Sequence, residues 1–316
     1  MKKLFTLVLV MSVVFAGTAW AAQPMRLTMA TGGVAGIYFP FGGILGQVMS
    51  DNSGVVEITA QVTGATVENL NLMGMGDVEL ALVQNDLSYY AYRGLEFYVD
   101  NPISNFKAIT RLYPELLHTV AQVDSGIYSI ADFVGRRISV GASGSGNEAN
   151  CRQIFGFYGI NYDNITPFFL PHVEAVNHFR DRQIDAFVFT TGTPAPGVMD
   201  VVMLRDVTFV PVYGAVRDAI IEAFPFFTAD VIPANTYRGQ TEDVETLAMQ
   251  AIMVVREDIP EDIVYAMTKA LFENLDAVRA GHAKGYELSL DTALMGLTIP
   301  LHPGAERYFR EVGIIN

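Results

Sequence analysis

Apolar and polar positions along the chain alternate between two periods, and short strand-like runs are followed repeatedly by a polar or glycine-rich turn and a helix-like run. Arg26 to Ala30 reads as a first strand. It leads through Gly32, Gly33 and Gly36 into an apolar spacing from Tyr38 through Ile44, Leu45 and Val48 that suits a helix. Interior glycines at 42, 43 and 46 cost such a helix roughly 0.5 to 1 kcal/mol each relative to alanine, so something approaches it closely, either another helix or a ligand. Val55 to Gln61 alternates as a strand and is followed by TGATVENLNLM at 63–73, with Thr66 and Asn69 on a capping spacing. Glu79 to Val83 is a buried-type strand, after which Gln84, Asn85 and Asp86 open a helix that ends at Gly94.

Farther along, Phe106 to Thr110 and Leu116 to Val123 read as two strands around Tyr113-Pro114-Glu115, and a first crossing between domains belongs near here. Ser129 to Val134 suits a short helix. Arg137 to Val140 is a strand that runs into GASGSGNE at 141–148 and a helix over 149–158. Asn164 to Leu170 is a strand, Val173 to Arg182 a helix, and Asp185 to Thr190 a strand ending in the polar turn TTGTPAPGV with a helix beyond it. The return crossing is expected at Thr208 to Tyr213. Val216 to Ala223 then reads as helix, Thr228 to Pro233 and Leu247 to Val255 as strands, and Glu261 to Arg279 as one helix with dipole-matched ends. Pro303 starts a last short helix. This βαβ alternation gives an α/β fold, with polar groups gathered at the carboxyl ends of strands, where open α/β sheets bind ligands.

Composition adds the compartment. MKKLFTLVLVMSVVFAGTAWA carries two lysines, a short apolar run and a small-residue site at Ala19 and Ala21, so 1–21 reads as a cleaved signal peptide. Its apolar run is shorter than the roughly 20 residues of a membrane span, so the mature chain is expected to be periplasmic, with no direct membrane insertion. One cysteine, Cys151, permits no intrachain disulfide, and 51% hydrophobic residues supply core for two domains. The formal charge of -14, less the two leader lysines, becomes -16, which disfavours nucleic acid and anionic membrane surfaces as partners.

Catalytic motifs fail one by one. Gly141 and Gly146 have P-loop spacing, but Asn147 and Glu148 stand where lysine and serine or threonine are needed. Gly144-x-Gly146-x-x-Ala149 is a weak dinucleotide pattern. Neither Ser143 nor Ser145 has the flanking glycines of a hydrolase elbow. His118, His172, His178, His282 and His302 make no zinc spacing, the acidic residues make no calcium loop, and no cofactor or metal is expected. His118 reads as a hydrogen-bonded packing residue and Cys151 as a small buried one. GASGSGNE itself has two readings, a helix cap through Ser145 and Glu148 or a nest of N–H groups for an anion at a helix N-terminus. What remains is a binder with two α/β lobes that close across a hinge. The alternatives are an exported enzyme using Ser143 or Asp86, and a ligand-free adhesion or scaffold protein.

TGGVAGIYFPFGG at 31–43, TGATVENL at 63–70, LVQNDL at 82–87, LYPELLH at 112–118, VGASGSGNEAN at 140–150, IDAFVFTTGTPAP at 184–196 and IPLHPGAERYFREVGI at 299–314 resemble the TAXI family of extracytoplasmic solute receptors. The resemblance covers nearly the whole mature chain in order. It implies a two-lobed type II periplasmic-binding-protein fold, each lobe a mixed sheet flanked by helices with the ligand cleft between. It also implies a monomer that works with the membrane permease of a tripartite ATP-independent (TRAP) transporter and binds a small carboxylate such as glutamate, glutamine or 2-oxoglutarate. Carried over by position, the binding residues fall on Gly32, Gly33, Tyr38, Thr63, Thr66, Asn69, Gln84, Asp86, Ser143, Ser145 and Thr190, with none catalytic. The expected lobes are 22–115 with 214–316, and 116–213, hinged near 112–118 and 208–216. The chain departs from the family at Val34, Ala35, Ile37, Ala65, Thr66 and Asn85, which makes the first lobe's face more apolar.

Overall fold

The computed structural model describes residues 23–34, 36–224 and 226–315, so the expected leader at 1–21 lies outside the described residues, as does Ala35. Two long antiparallel strands organise everything else. One, β4 (Phe106–Gln122), spans 17 residues, and its partner β10 (Val244–Arg256) spans 13. Along their length runs a ten-stranded sheet. On one side β1 (Met25–Ala30), β2 (Val56–Gln61) and β3 (Leu80–Gln84) are parallel to one another, and β3 joins the carboxyl-terminal part of β10. On the other side β5 (Arg137–Ser139), β6 (Thr166–Phe168) and β7 (Ala186–Thr191) are parallel, and β7 joins β4 from Leu116 onward. Two short strands, β8 (Val207–Phe209) and β9 (Thr228–Ile232), pair with β4 and β10 respectively.

Each half is layered helix, sheet, helix. On one face of the first half lie α1 (Tyr38–Ser53), α8 (Glu261–Glu273), α9 (Leu275–Gly281) and α10 (Pro303–Glu311), and on the other α2 (Thr66–Met75) and α3 (Asn85–Arg93). The second half carries α4 (Gly146–Gly156) and α7 (Gly214–Ala223) on one face, α5 (His172–Arg180) and α6 (Pro196–Leu204) on the other. Because strand side chains alternate between faces, β10 feeds all four apolar clusters: Met253 and Val254 enter the two of the first half, Leu247 and Ala248 the two of the second. Ile220 of α7, Ile232 of β9 and Phe227 between them pack with the second half.

Most elements stand where the hydrophobic pattern puts them. Phe106 to Val123, however, is one continuous strand through Gln122 rather than two. Proline lacks a donor and is tolerated where no ladder bond is needed. Pro114 faces Gln250 of β10, and on its other edge pairing with β7 starts only at Leu116. The helix expected over Glu261 to Arg279 is broken at Asn274, whose φ of −122° and ψ of 32° leave the helical region while its side chain donates to Ala270 O at 2.8 Å.

The glycines of α1 answer to the sheet, not to a ligand or another helix. A Cβ at Gly42 would lie 2.7 Å from Thr31 Cγ2, and one at Gly46 3.0 Å from Ile58 Cγ2, whereas a Cβ at Gly43 meets nothing within 4 Å. Overpacking and helix propensity therefore act with opposite sign one residue apart. In urea unfolding, Gly42→Ala is expected to lose about 1 to 3 kcal/mol, and Gly43→Ala to gain about 0.5 to 1 kcal/mol.

Candidate functional site

The carboxyl ends of β1, β3, β5 and β7 and the turns that follow them face one another across a cavity of about 320 Å³. Five helices point their amino ends at it. Tyr38, Thr66, Gly146 and His172, which open α1, α2, α4 and α5, line the cavity, as does Gln84, the residue before α3. Each such end carries N–H groups without intrahelical partners and roughly half a positive charge. None of the described lining residues is lysine or arginine.

Two asparagines brace the walls in the same way. In the first half, Asn69 donates to Thr31 O at 2.7 Å and Leu82 O at 2.8 Å and accepts from Thr63 Oγ1 at 2.6 Å, tying together the ends of β1, β3 and the turn before α2. In the second, Asn147 donates to Val140 O and Val188 O, both at 2.8 Å, and accepts from the Thr190 amide, tying together β5, β7 and the start of α4. Ser145 caps α4 by accepting from the Glu148 amide at 3.1 Å. The box is not reciprocal, because the Glu148 carboxylate turns to Arg152 and Tyr162 instead. The capping reading of GASGSGNE holds through Ser145, and the same residue lines the cavity.

Of the residues expected at the site, Gly32, Gly33, Tyr38, Thr63, Thr66, Gln84, Ser145 and Thr190 border the cavity. Asn69, Asp86 and Ser143 do not. Asn69 is a fully buried brace behind the wall, and Ser143 is exposed at the outside of its turn. Asp86 is buried and accepts from Asn150 Nδ2 at 2.9 Å, a bond between α3 and α4 that joins the two halves; burial pushes its carboxyl up to about 6. The halves also touch where a Cβ on Gly146 would collide with Gln84 Oε1, so a side chain there would have to push Gln84 aside.

Sequence reasoning missed Glu115, Asn147, His172 and Thr191, all of which line the cavity. The signal for Glu115 was a lone acidic residue amid largely apolar neighbours, within the motif LYPELLH already singled out. It is 3% exposed, accepts from Tyr38 Oη at 3.1 Å, and burial pushes its carboxyl up to about 8, so it is protonated at neutral pH. Burial also pushes His172 down to about 4, and the neutral imidazole stacks on Phe189 at 3.9 Å between ring centroids. Two buried acceptors on the wall, Gln84 Oε1 and Thr190 Oγ1, have no protein partner. As read from sequence, His118 is a packing residue: its ring meets Leu116 O, Thr193 Oγ1 and Tyr237 Oη at 3.0, 3.1 and 2.9 Å. Cys151 is buried, with its thiol pushed far up by burial.

This architecture resembles that of solved binding proteins. The alkanesulfonate-binding protein SsuA from Xanthomonas axonopodis pv. citri, bound to MOPS, superposes with a TM-score of 0.51 at 15% identity, over 92% of this chain and 85% of that one. A putative L-cystine ABC transporter protein from Listeria monocytogenes gives 0.54 at 13% identity, over 84% and 98%. The GluR0 ligand-binding core from Nostoc punctiforme, in complex with L-glutamate, gives 0.50 at 14%, over 83% and 100%. At these identities the likeness is one of fold. The family model described as NMT1-like family matches residues 29–313.

Two outcomes follow from the site's strained and titratable groups. Ala65, in the cavity wall, sits at φ 76° and ψ −150°, a conformation suited to glycine. Ala65→Gly is expected to raise the unfolding free energy by about 1 kcal/mol. For Glu115 the folded chain keeps a proton that the unfolded chain has already lost between pH 4.5 and about 8, so stability falls as pH rises through that window. Urea unfolding at pH 5 and pH 8.5 is expected to show the wild type losing on the order of 3 to 5 kcal/mol more than Glu115→Gln.

Proposed function

The chain belongs to the NMT1-like family, and on that footing we propose that it is an extracytoplasmic solute-binding receptor that captures a small carboxylate and delivers it to the membrane subunits of a TRAP transporter. The observation that carries this reading is the convergence of five helix amino ends on one cavity between two α/β halves. Such ends bind anions without a basic side chain. Residues 1–21 support an exported protein, and the motifs shared with the TAXI family support the TRAP partner over other transport machinery.

In this reading the first backbone N–H groups of α4, at Gly146 and Asn147, hold the carboxylate with Thr190, while Thr66 and Gln84 approach from the facing half. The roles first expected for Ser143 and Asp86 are given up, since neither reaches the cavity. That also weakens the alternative of an enzyme built on those two side chains. The lobes divide as 23 to about 113 with about 250 to 315, and 116 to 249. The return crossing thus moves from 208–216 onto β10, because Ile220, Phe227 and Ile232 pack with the second half. Hinge motion would flex β4 and β10 where they pass from one half to the other, and ligand contacts made with both halves would favour the closed form.

A thermal-shift screen over monocarboxylates, dicarboxylates, amino acids and aromatic acids tests this reading. At 100 times its dissociation constant a ligand stabilises the folded state by about 2.7 kcal/mol. Silence across the screen would sink the receptor. Gly146→Ala, which sets a methyl against Gln84 across the cleft, is expected to weaken binding of any hit at least tenfold by calorimetry.

A further inference from the structure

We propose that Glu115 is a specificity-determining residue that restricts the cavity to ligands with a single carboxylate and turns away a second anionic group. The inference rests on the receptor reading and narrows its ligand class. Helix amino ends line the cavity from both halves, yet no lysine or arginine is among the described lining residues, and the one ionisable acid there is Glu115. Partial charges on backbone amides suffice for one carboxylate. The far end of a dicarboxylate would then find either apolar wall, at Ile37, Val62, Pro171 and Val173, or the Glu115 carboxyl itself.

Glu115 is surrounded so that it stays neutral. Burial, with the Asp86 carboxylate of α3 adding to it, raises its proton affinity and outweighs the donors Gln84 and Tyr38, which favour the charged form; Tyr113 of its own strand is buried beside it. The cation that acts on Glu115 is Lys284, which lies over the Tyr113 ring at 5.3 Å from its centroid and is already paired with Glu287. His172, the other titratable group on the wall besides Tyr38, is held neutral by burial. A second anion placed against Glu115 would meet no basic side chain in a buried setting, which is costly. The uncharged carboxyl can instead exchange a hydrogen bond with a neutral group on the ligand.

Matched pairs without amino groups isolate the effect: pentanoate against glutarate, hexanoate against adipate, benzoate against terephthalate, titrated calorimetrically with the full mature chain. In each pair that binds, the monocarboxylate is expected to be at least tenfold tighter at pH 7. Its dissociation constant should rise about tenfold per pH unit once Glu115 ionises above about pH 8. Glu115→Gln, which keeps the shape and an acceptor for Tyr38, is expected to flatten that pH profile. The wild-type pair comparison stands whether or not the variant folds. Equal or tighter binding of a dicarboxylate, or a folded Glu115→Gln with the wild-type pH profile, overturns the inference. So does a hit from the wider screen with two anionic groups, and that outcome leaves the receptor intact. Silence of these pairs and of the whole screen together removes the receptor and this inference with it.

Discussion

The antiparallel pairing of β4 with β10 is the constraint on which the rest of the structure depends. Neither half could close its sheet without them, because β3 on one side and β7 on the other each end against one of these strands. Each long strand supplies side chains to the cores of both halves, so the two cores are tied through continuous backbone rather than through a linker. Covalent and hydrogen-bonded continuity fixes where the halves sit relative to one another. It also places Glu115 at the bottom of the space between them, since that residue lies on β4 one position before pairing with β7 begins.

Around that axis the halves repeat one solution to the same problem. Parallel strands end in carbonyl groups that need partners where the chain turns into a helix, and buried carbonyls left without donors are expensive. Asn69 in one half and Asn147 in the other donate both amide hydrogens to carbonyls in or just beyond the parallel strands and accept one bond each, from the Thr63 hydroxyl and from the Thr190 amide of β7. The turns are thereby held rigid, and the helix amino ends beyond them are left with their N–H groups aimed at the cavity. Asn69 was expected to touch the ligand and instead sets the wall; from sequence alone, a polar residue in the first turn of a helix reads the same in either role.

The strand and helix pattern was legible because the apolar periods of 2 and 3.6 were clean, and the polar turns at Gly33, Thr63, Gln84 and Ser145 were legible because strand-to-helix junctions concentrate ligand contacts. What could not be read depended on the third dimension. Pro114 looked like a break and is not one, since its missing donor falls where no partner waits. Whether Gly42 and Gly46 of α1 served a ligand or the packing was decided by Thr31, just past β1, and Ile58 of β2. Glu115 stood in plain view within an apolar run, but a buried acid becomes a site residue only when a cavity opens beside it.

The electrostatics of the molecule act at two ranges. A chain of formal charge -14 repels small anions at a distance, but that field is screened beyond about 8 to 10 Å at physiological ionic strength. Inside the cavity the relevant sources are backbone amides, whose partial charges cannot titrate and whose directions are set by the helices that carry them. A site built this way gains little from long-range steering and depends instead on contacts made after arrival. An arginine would bind a carboxylate from one half alone. In the proposed receptor, amides from α1, α2 and α3 on one side and from α4 and α5 on the other would act together only while the halves are apposed, so reliance on backbone donors would make anion binding and apposition of the halves a single event.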